Sequence, residues 1–123
     1  MTKRNQPFLA FARWRVGLYR SQKPRDSVRF FRRSRNHSLV WNFIMQGFYA
    51  EDPPSVGECE SVTAWSRPTT RKILYEAQAR GFIELRRDED DRRKRHVYPT
   101  AKTIAEYEAM VKGYMKLASS LTK

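Results

Sequence analysis

Arg80-Gly81-Phe82-Ile83-Glu84-Leu85 runs into Arg86-Arg87-Asp88-Glu89-Asp90-Asp91-Arg92-Arg93-Lys94-Arg95 and then into His96-Val97-Tyr98-Pro99-Thr100. The residue types dictate a succession of elements. Gly81 supplies the left-handed stop that ends a helix. Phe82 to Leu85 makes a short strand, and Val97-Tyr98 makes its return partner. Between them, six basic residues surround four acids, a composition that belongs on a solvated hairpin tip. Thr100 then caps a new helix.

Working back from the hairpin, a helix is expected from Arg67 to Arg80, capped by Ser66, with Pro68 tolerated in its first turn. Thr63-Ala64-Trp65-Ser66 reads as a turn. Ser55 caps a short helix from Val56 to about Val62. Asn36 is the expected cap of an earlier helix whose Leu39, Val40, Phe43, Ile44 and Phe48 form an apolar face. Glu51-Asp52-Pro53-Pro54 ends that helix. Beyond Thr100, one helix from about Ala101 to Ala118 carries Ile104, Tyr107, Val111, Tyr114 and Ala118 along one side.

The first 35 residues form a basic helical arm. Phe8, Phe11, Trp14 and Leu18 recur at helical spacing, and Ser21 to Pro24 interrupts the helix. Asp26 or Ser27 is the expected cap of a second short helix through Arg33 that buries Val28 and Phe31. Such an arm has little to pack against in so short a chain, so a second copy is its natural partner. The expected organisation is a dimerising arm over 1–35, a central domain over 36–100 and a dimerising C-terminal helix over 101–123. The fold class is mainly α with a small β-hairpin (α+β).

Composition narrows the function. The 123 residues carry a net charge of +12, unevenly placed. Residues 1–35 hold eleven Lys or Arg against Asp26 alone, and residues 36–123 hold fourteen against twelve acids. A positive field of this kind favours phosphate backbones through counterion release. No run approaches the ~20 apolar residues that span a bilayer. A single cysteine makes no internal disulfide, so the cytoplasm is the expected compartment. A chain this short buries about two-thirds of its unfolded surface, so an oligomer interface adds stability.

Residues 55–100 resemble the winged helix-turn-helix of the MarR family of bacterial regulators. Ser55-Val56-Gly57-Glu58-Cys59 through Gly81-Phe82-Ile83 follows that family's order of helix, turn, recognition helix, Gly and strand. Asp91-Arg92-Arg93 with Pro99-Thr100 resembles its wing signature, Asp-x-Arg, five residues, then Leu-Thr. Pro99 stands where Leu is usual, Ala64 stands where the turn often has Gly, and the chain is short for the family. The resemblance implies a two-fold symmetric homodimer with interleaved terminal helices. It implies recognition helices in major grooves, wings in minor grooves, and in most members repression of transcription, sometimes released by phenolic ligands or by oxidation.

The residues point the same way on chemical grounds. With Ile73, Leu74 and Ala77 facing the core and Thr70 at its edge, Arg67, Thr69, Arg71 and Lys72 remain on the outward half of the recognition helix. Arg takes guanine through two donors, and Thr meets a thymine methyl or a phosphate. Ser66 caps the helix and can also meet phosphate. Arg92, Arg93 and Arg95 are the wing candidates, with Arg93 aimed at a narrow minor groove. For these arginines to point outward, an acid, Asp91 first, has to pair with a neighbouring Arg. Arg25, Arg29, Arg32, Arg33 and Arg35 are candidates for phosphate contacts, which position a protein but specify no base.

The functional expectation is a sequence-specific double-stranded-DNA-binding transcriptional regulator acting as a homodimer. The alternative is a winged-helix module for protein interaction or non-specific nucleic-acid packaging. Phe30, Phe31 and Trp41 among arginines could also stack on single-stranded RNA, but their helical spacing suits burial better. A small-molecule effector is a further expectation, with Trp14, Trp41 and Tyr75 as candidate pocket walls. Cys59 falls at a core position. His37 and His96 are isolated, one Cys gives no zinc spacing, and neither a Gly-rich phosphate loop nor a Ser/His/Asp set has suggestive context. No cofactor, metal or enzymatic activity is therefore expected.

Overall fold

The computed structural model describes residues 4–21, 25–63 and 67–121. Within them the chain forms α1 (Gln6–Arg20), α2 (Asp26–Phe31), α3 (Arg35–Tyr49), α4 (Val56–Val62) and α5 (Arg67–Ala79). The hairpin strands β1 (Ile83–Arg87) and β2 (Arg95–Pro99) follow, and α6 (Ala101–Leu121) ends the chain.

Local signals set the boundaries. Ser34, not the expected Asn36, caps α3: its side chain accepts the amide of His37 at 3.2 Å. Asn36 already lies inside the helix. The buried face of α3 is Val40, Trp41, Ile44 and Met45, whereas Leu39 is exposed and Phe43 and Phe48 are only partly covered. The stripe is thus displaced from the expected one, because Trp41 and Met45 turn toward the rest of the chain. α3 ends where Glu51 adopts a left-handed conformation, φ 57°, and the amide of Asp52 donates to the Gly47 carbonyl at 2.9 Å. The chain then folds back over Gly47. A methyl group there would sit 2.6 Å from Pro54 Cδ and 2.7 Å from the Asp52 oxygen.

α4 opens with a full capping box between Ser55 and Glu58. α5 closes on Gly81, φ 78°, as expected. The Phe82 amide donates to Ala77 and the Gly81 amide to Gln78, the paired bonds of a Schellman stop. The strands pair antiparallel, from Ile83 opposite Pro99 to Arg87 opposite Arg95. The β2 edge is held by Val97 N–H donating to Pro54 at 2.8 Å and by a bridge between Ser55 and His96. The Thr100 hydroxyl donates to the Gly81 carbonyl and that of Thr103 to Phe82, at 2.8 and 2.7 Å. These bonds fasten the start of α6 to the end of α5.

The core gathers Val40, Trp41, Ile44, Met45, Cys59, Ile73, Leu74, Ala77, Phe82, Ile83 and Val97. It also contains Val28, Phe30 and Phe31 of α2. The expectation that the segment before Arg35 finds little to pack against fails for this helix. Neither Asp26 nor Ser27 caps it. Ser27 instead donates from its amide and hydroxyl to Glu106 of α6 at 3.0 and 2.7 Å, and Lys102 completes the cluster at 3.1 Å from that carboxylate. α1 behaves differently. It buries only Leu18 and rests on α6 through Phe11, Trp14 and Tyr114, leaving Phe8, Val16 and Tyr19 exposed.

The close approach at Gly47 generates a prediction. Gly47→Ala must push the Asp52-to-Pro54 loop off α3 and should lower stability by about 1–3 kcal/mol, as core overpacking does. Urea unfolding measures it, and an unchanged midpoint would show that the loop yields freely.

Candidate nucleic-acid interface

The candidate recognition helix α5 presents Arg67, Thr69, Arg71 and Lys72 to solvent on the side away from Ile73, Leu74 and Ala77. Thr70 is fully buried rather than at the edge. Its hydroxyl is 2.8 Å from that of Thr63, which donates to the Glu60 carbonyl at 3.3 Å, so a polar brace sets the angle between α4 and α5. Ser66, expected as the cap of α5, lies outside the described residues.

The four exposed side chains divide between two neighbours. Arg67 and Arg71 line a groove of about 610 Å³ shared with Glu58, Glu60 and Ser61 of α4. Within it, Arg71 Nη2 lies 3.3 Å from both carboxylate oxygens of the buried Glu60. Thr69 and Lys72 instead line a recess with Ser34, Asn36 and His37 at the start of α3. A helix start beside exposed Lys and Thr side chains is a ready phosphate contact. The sequence suggests Asn36 only as a helix cap and His37 only as an isolated histidine; Ser34, three residues before the amide it caps, carries the signal that was missed. Tyr75, expected in a ligand pocket, lies exposed on α5.

The hairpin uses its acids differently from the expectation. Asp88, not Asp91, organises the tip. Its Oδ1 accepts the amides of Asp90 and Asp91 at 2.8 and 3.3 Å, and its amide donates to the Lys94 carbonyl at 2.9 Å. Asp91 accepts the backbone amide of Arg93 at 3.0 Å, where the expectation was a pair with a neighbouring Arg side chain. Short Asp side chains reach nearby turn amides more directly than a long guanidinium. The effect anticipated for the arginines still holds: Arg92 and Arg93 are exposed at the tip. Arg95 is half-buried opposite Arg87, and Arg86 stacks over Tyr98 with its carbon 4.1 Å from the ring centre.

His96 anchors the hairpin from below. Nδ1 faces the Pro53 carbonyl at 3.0 Å and Nε2 faces Asp88 Oδ2 at 2.9 Å. Both partners only accept, so the doubly protonated ring satisfies both. The hydrogen bond that His96 donates to Asp88 is the main cause that raises the pKa of His96 above its ordinary 6.5, and the same bond holds the Asp88 carboxyl below its ordinary range.

Other candidates fall elsewhere. Phe30, Phe31 and Trp41 are buried, with no face open to a stacking base. Cys59 is fully buried, and burial pushes its thiol up to about 12, aided by Glu58 and Glu60. Arg29, Arg33 and Arg35 are exposed, but Arg33 pairs with Glu76 at 3.0 Å and Arg29 with Asp26 at 3.5 Å. Among the described residues, no three His, Cys, Asp or Glu side chains are placed to hold a metal ion, and no helix is long and apolar enough to cross a membrane.

A recess of about 430 Å³ opens between α1, α3 and α6. Trp14 and Trp41 do line it, with Phe11, Tyr19, Arg32 and Tyr114. Trp41 Nε1 and the Nε and Nη1 of Arg32 are buried there without a hydrogen-bond partner among the described residues. Arg32 Nη2 donates to the Leu18 carbonyl at 3.1 Å, and the guanidinium lies over the Tyr19 ring. Burial lowers the pKa of Arg32.

No protein-family model matches the sequence, and no curated protein matches it. Solved structures match the fold. A point mutant of S. aureus MepR bound to an oligodeoxyribonucleotide is 13% identical, with 99% of this chain and 83% of that chain covered at a TM-score of 0.65. A transcriptional regulator from Thermotoga maritima is 23% identical over 96% and 82%, at 0.58. The heme sensor protein PefR from Streptococcus agalactiae, in complex with heme, is 16% identical over 89% and 74%, at 0.55. At these identities the likeness is one of architecture. This chain has the MarR-type winged-helix fold.

The His96 anchor generates a pH prediction. A ring whose pKa is higher in the folded state stabilises fully below its unfolded value, about 6.5, and loses that contribution as pH rises through the folded value. Wild type should exceed His96→Gln in urea-unfolding stability by more at about pH 6 than at about pH 9. An equal difference at both would mean that folding does not raise the ring's pKa.

Proposed function

We propose that this protein is a sequence-specific, double-stranded-DNA-binding transcriptional regulator that acts as a homodimer, with repression as its mode. α5 enters the major groove and the hairpin reaches the adjacent minor groove. One observation carries the reading: Asp88 and Asp91 of the hairpin are tied to turn amides, Asp88 also to His96, while Arg92 and Arg93 stand exposed at the tip. That arrangement gives two of the four acids a structural role in the turn and leaves the tip arginines unpaired with them. Arg67, Thr69, Arg71 and Lys72 then meet base edges and phosphates, Arg95 supports the wing, and Ser66 is assigned a phosphate. A MepR mutant of the same fold, bound to an oligodeoxyribonucleotide, supports the reading of this fold as DNA-binding. Exposed Phe8, Val16 and Tyr19 on α1 and Met115 and Leu121 on α6 are the faces a second copy would cover.

A second component concerns control. The recess beside Arg32 offers three buried, unpaired donors among aromatic walls. Desolvated donors without acceptors are costly, and an anion relieves that cost. An aromatic carboxylate fits: its ring lies against the aromatic wall of the recess, and its oxygens meet Arg32 and Trp41. PefR bound to heme shows an effector on the same architecture, of different chemistry.

Selection from a random duplex library near physiological salt tests the first reading. It should enrich a pseudo-palindrome with half-sites about one helical turn apart. Binding that fades with salt and enriches nothing would favour non-specific packaging. For the second, benzoate and 2-naphthoate should quench tryptophan fluorescence and weaken binding to the selected duplex. Arg32→Gln should lose roughly tenfold or more in affinity for them, the worth of a charged hydrogen bond. Equal affinity in that variant would remove Arg32 from the site.

A further inference from the structure

The contact between Glu60 and Arg71 sits where a purely electrostatic view of DNA binding would forbid it. Glu60 is 7% exposed and belongs to α4, while Arg71, on the reading helix, is 52% exposed. Burying a carboxylate is unfavourable unless a cation and hydrogen bonds compensate it. An acid beside a phosphate backbone also opposes association through its field. A pair serving stability alone gains little from a partner that is half in water. The arrangement makes sense if the acid serves the arginine's direction.

We infer that Glu60 is a positioning residue that fixes the Arg71 guanidinium for guanine, and so sets base preference at one position of each half-site. The inference rests on the proposal that α5 reads DNA. Three features carry it. Both Glu60 oxygens meet the same nitrogen, Nη2, at 3.3 Å. Nη2 carries two N–H groups, and neither Nη1 nor Nε of Arg71 is held by a described residue, so one two-donor edge, Nη2 with an adjacent guanidinium nitrogen, remains for the O6 and N7 atoms of guanine. The backbone that carries the acid is held in place, because α4 is joined to α5 beside it by the buried Thr63–Thr70 hydrogen bond, and Thr63 also bonds the Glu60 carbonyl. A long, flexible side chain is thereby ordered before DNA arrives, and its ordering entropy is removed from the binding step.

The sign of the electrostatics separates this role from its rivals. Glu60→Gln removes a negative charge near the DNA, so charge alone predicts tighter binding to every duplex. A positioning role predicts a split. Binding to unrelated duplexes should stay level or rise, while preference at one base pair per half-site falls roughly tenfold, the scale of a lost bidentate base contact.

The experiment is selection and competition binding on wild type, Glu60→Gln, Arg71→Ala and Arg71→Lys, each first checked for an intact melting transition. The expected result is that all three variants lose preference at the same base pair. Arg71→Lys should lose it even though the ion pair survives, because Lys lacks the fork. The Glu60→Gln and Arg71→Ala losses should not add. Full discrimination in Glu60→Gln would overturn the inference, as would equal loss on every sequence. If Glu60→Gln fails to fold, Arg71→Lys decides, and preference retained there overturns it. A wild-type protein that enriches no motif would defeat the DNA-reading proposal itself, and the positioning role with it.

Discussion

The structure depends on one aromatic cluster. Phe31 of α2 stacks on Trp41 of α3, with ring centres 5.6 Å apart and planes within 6°. Phe30 and Phe31 both meet Phe82, at 5.5 and 6.3 Å, and Trp41 meets Tyr107 of α6 edge-on at 5.1 Å. Each buried ring contributes about 1.5–3 kcal/mol by leaving water. Position matters as much as energy. Phe82 directly follows the Gly81 stop of α5, and Arg32 directly follows Phe31. The end of the candidate reading helix and the recess with unpaired donors therefore share one packed wall. Ser27 and Glu106, joined across 79 residues of sequence, hold α2 and α6 around it. A ligand that reoriented Arg32 would press on a cluster that packed interiors do not deform gradually.

On the other side of the molecule, several acids are held by backbone amides or by cations. Asp88 and Asp91 take turn amides, Glu58 takes the amide of Ser55, and Glu60 takes Arg71. The excess of arginine is left to face solvent. Net charge of +12 then acts as a field, and the fixed acids shape it locally. This division separates affinity, which a field supplies to any duplex, from selectivity, which requires groups held in one orientation.

Most of the fold was legible in the sequence because its decisive signals are local. Gly81 ends a helix, Ser55 begins one, and the charged run at 86–95 must turn in water. Each signal needs only its own few residues. What escaped was set by distance. Burial of Val28, Phe30 and Phe31 was legible from their spacing, but what covers them was not, because their partners lie on α3, on α6 and at Phe82. Thr70 looked like an edge residue until Thr63 closed on it. Choosing Asp88 over Asp91 required knowing that His96 returns beneath the tip, and choosing Ser34 over Asn36 depended on which residue was still extended. The candidate site was legible as a set of exposed cations. Its geometry was not, since Glu60 is eleven residues from Arg71 and His96 is 43 from Pro53.

The central claim is that one face of this molecule, made by the start of α3, α5 and the hairpin, meets duplex DNA. An amide chemical-shift map of the protein titrated with a selected duplex tests it most directly. The largest shifts should fall on residues 34–37, 67–76 and 86–95, with α1 and the second half of α6 little changed. Shifts concentrated instead on the exposed apolar faces of α1 and α6, with the hairpin silent, would contradict it.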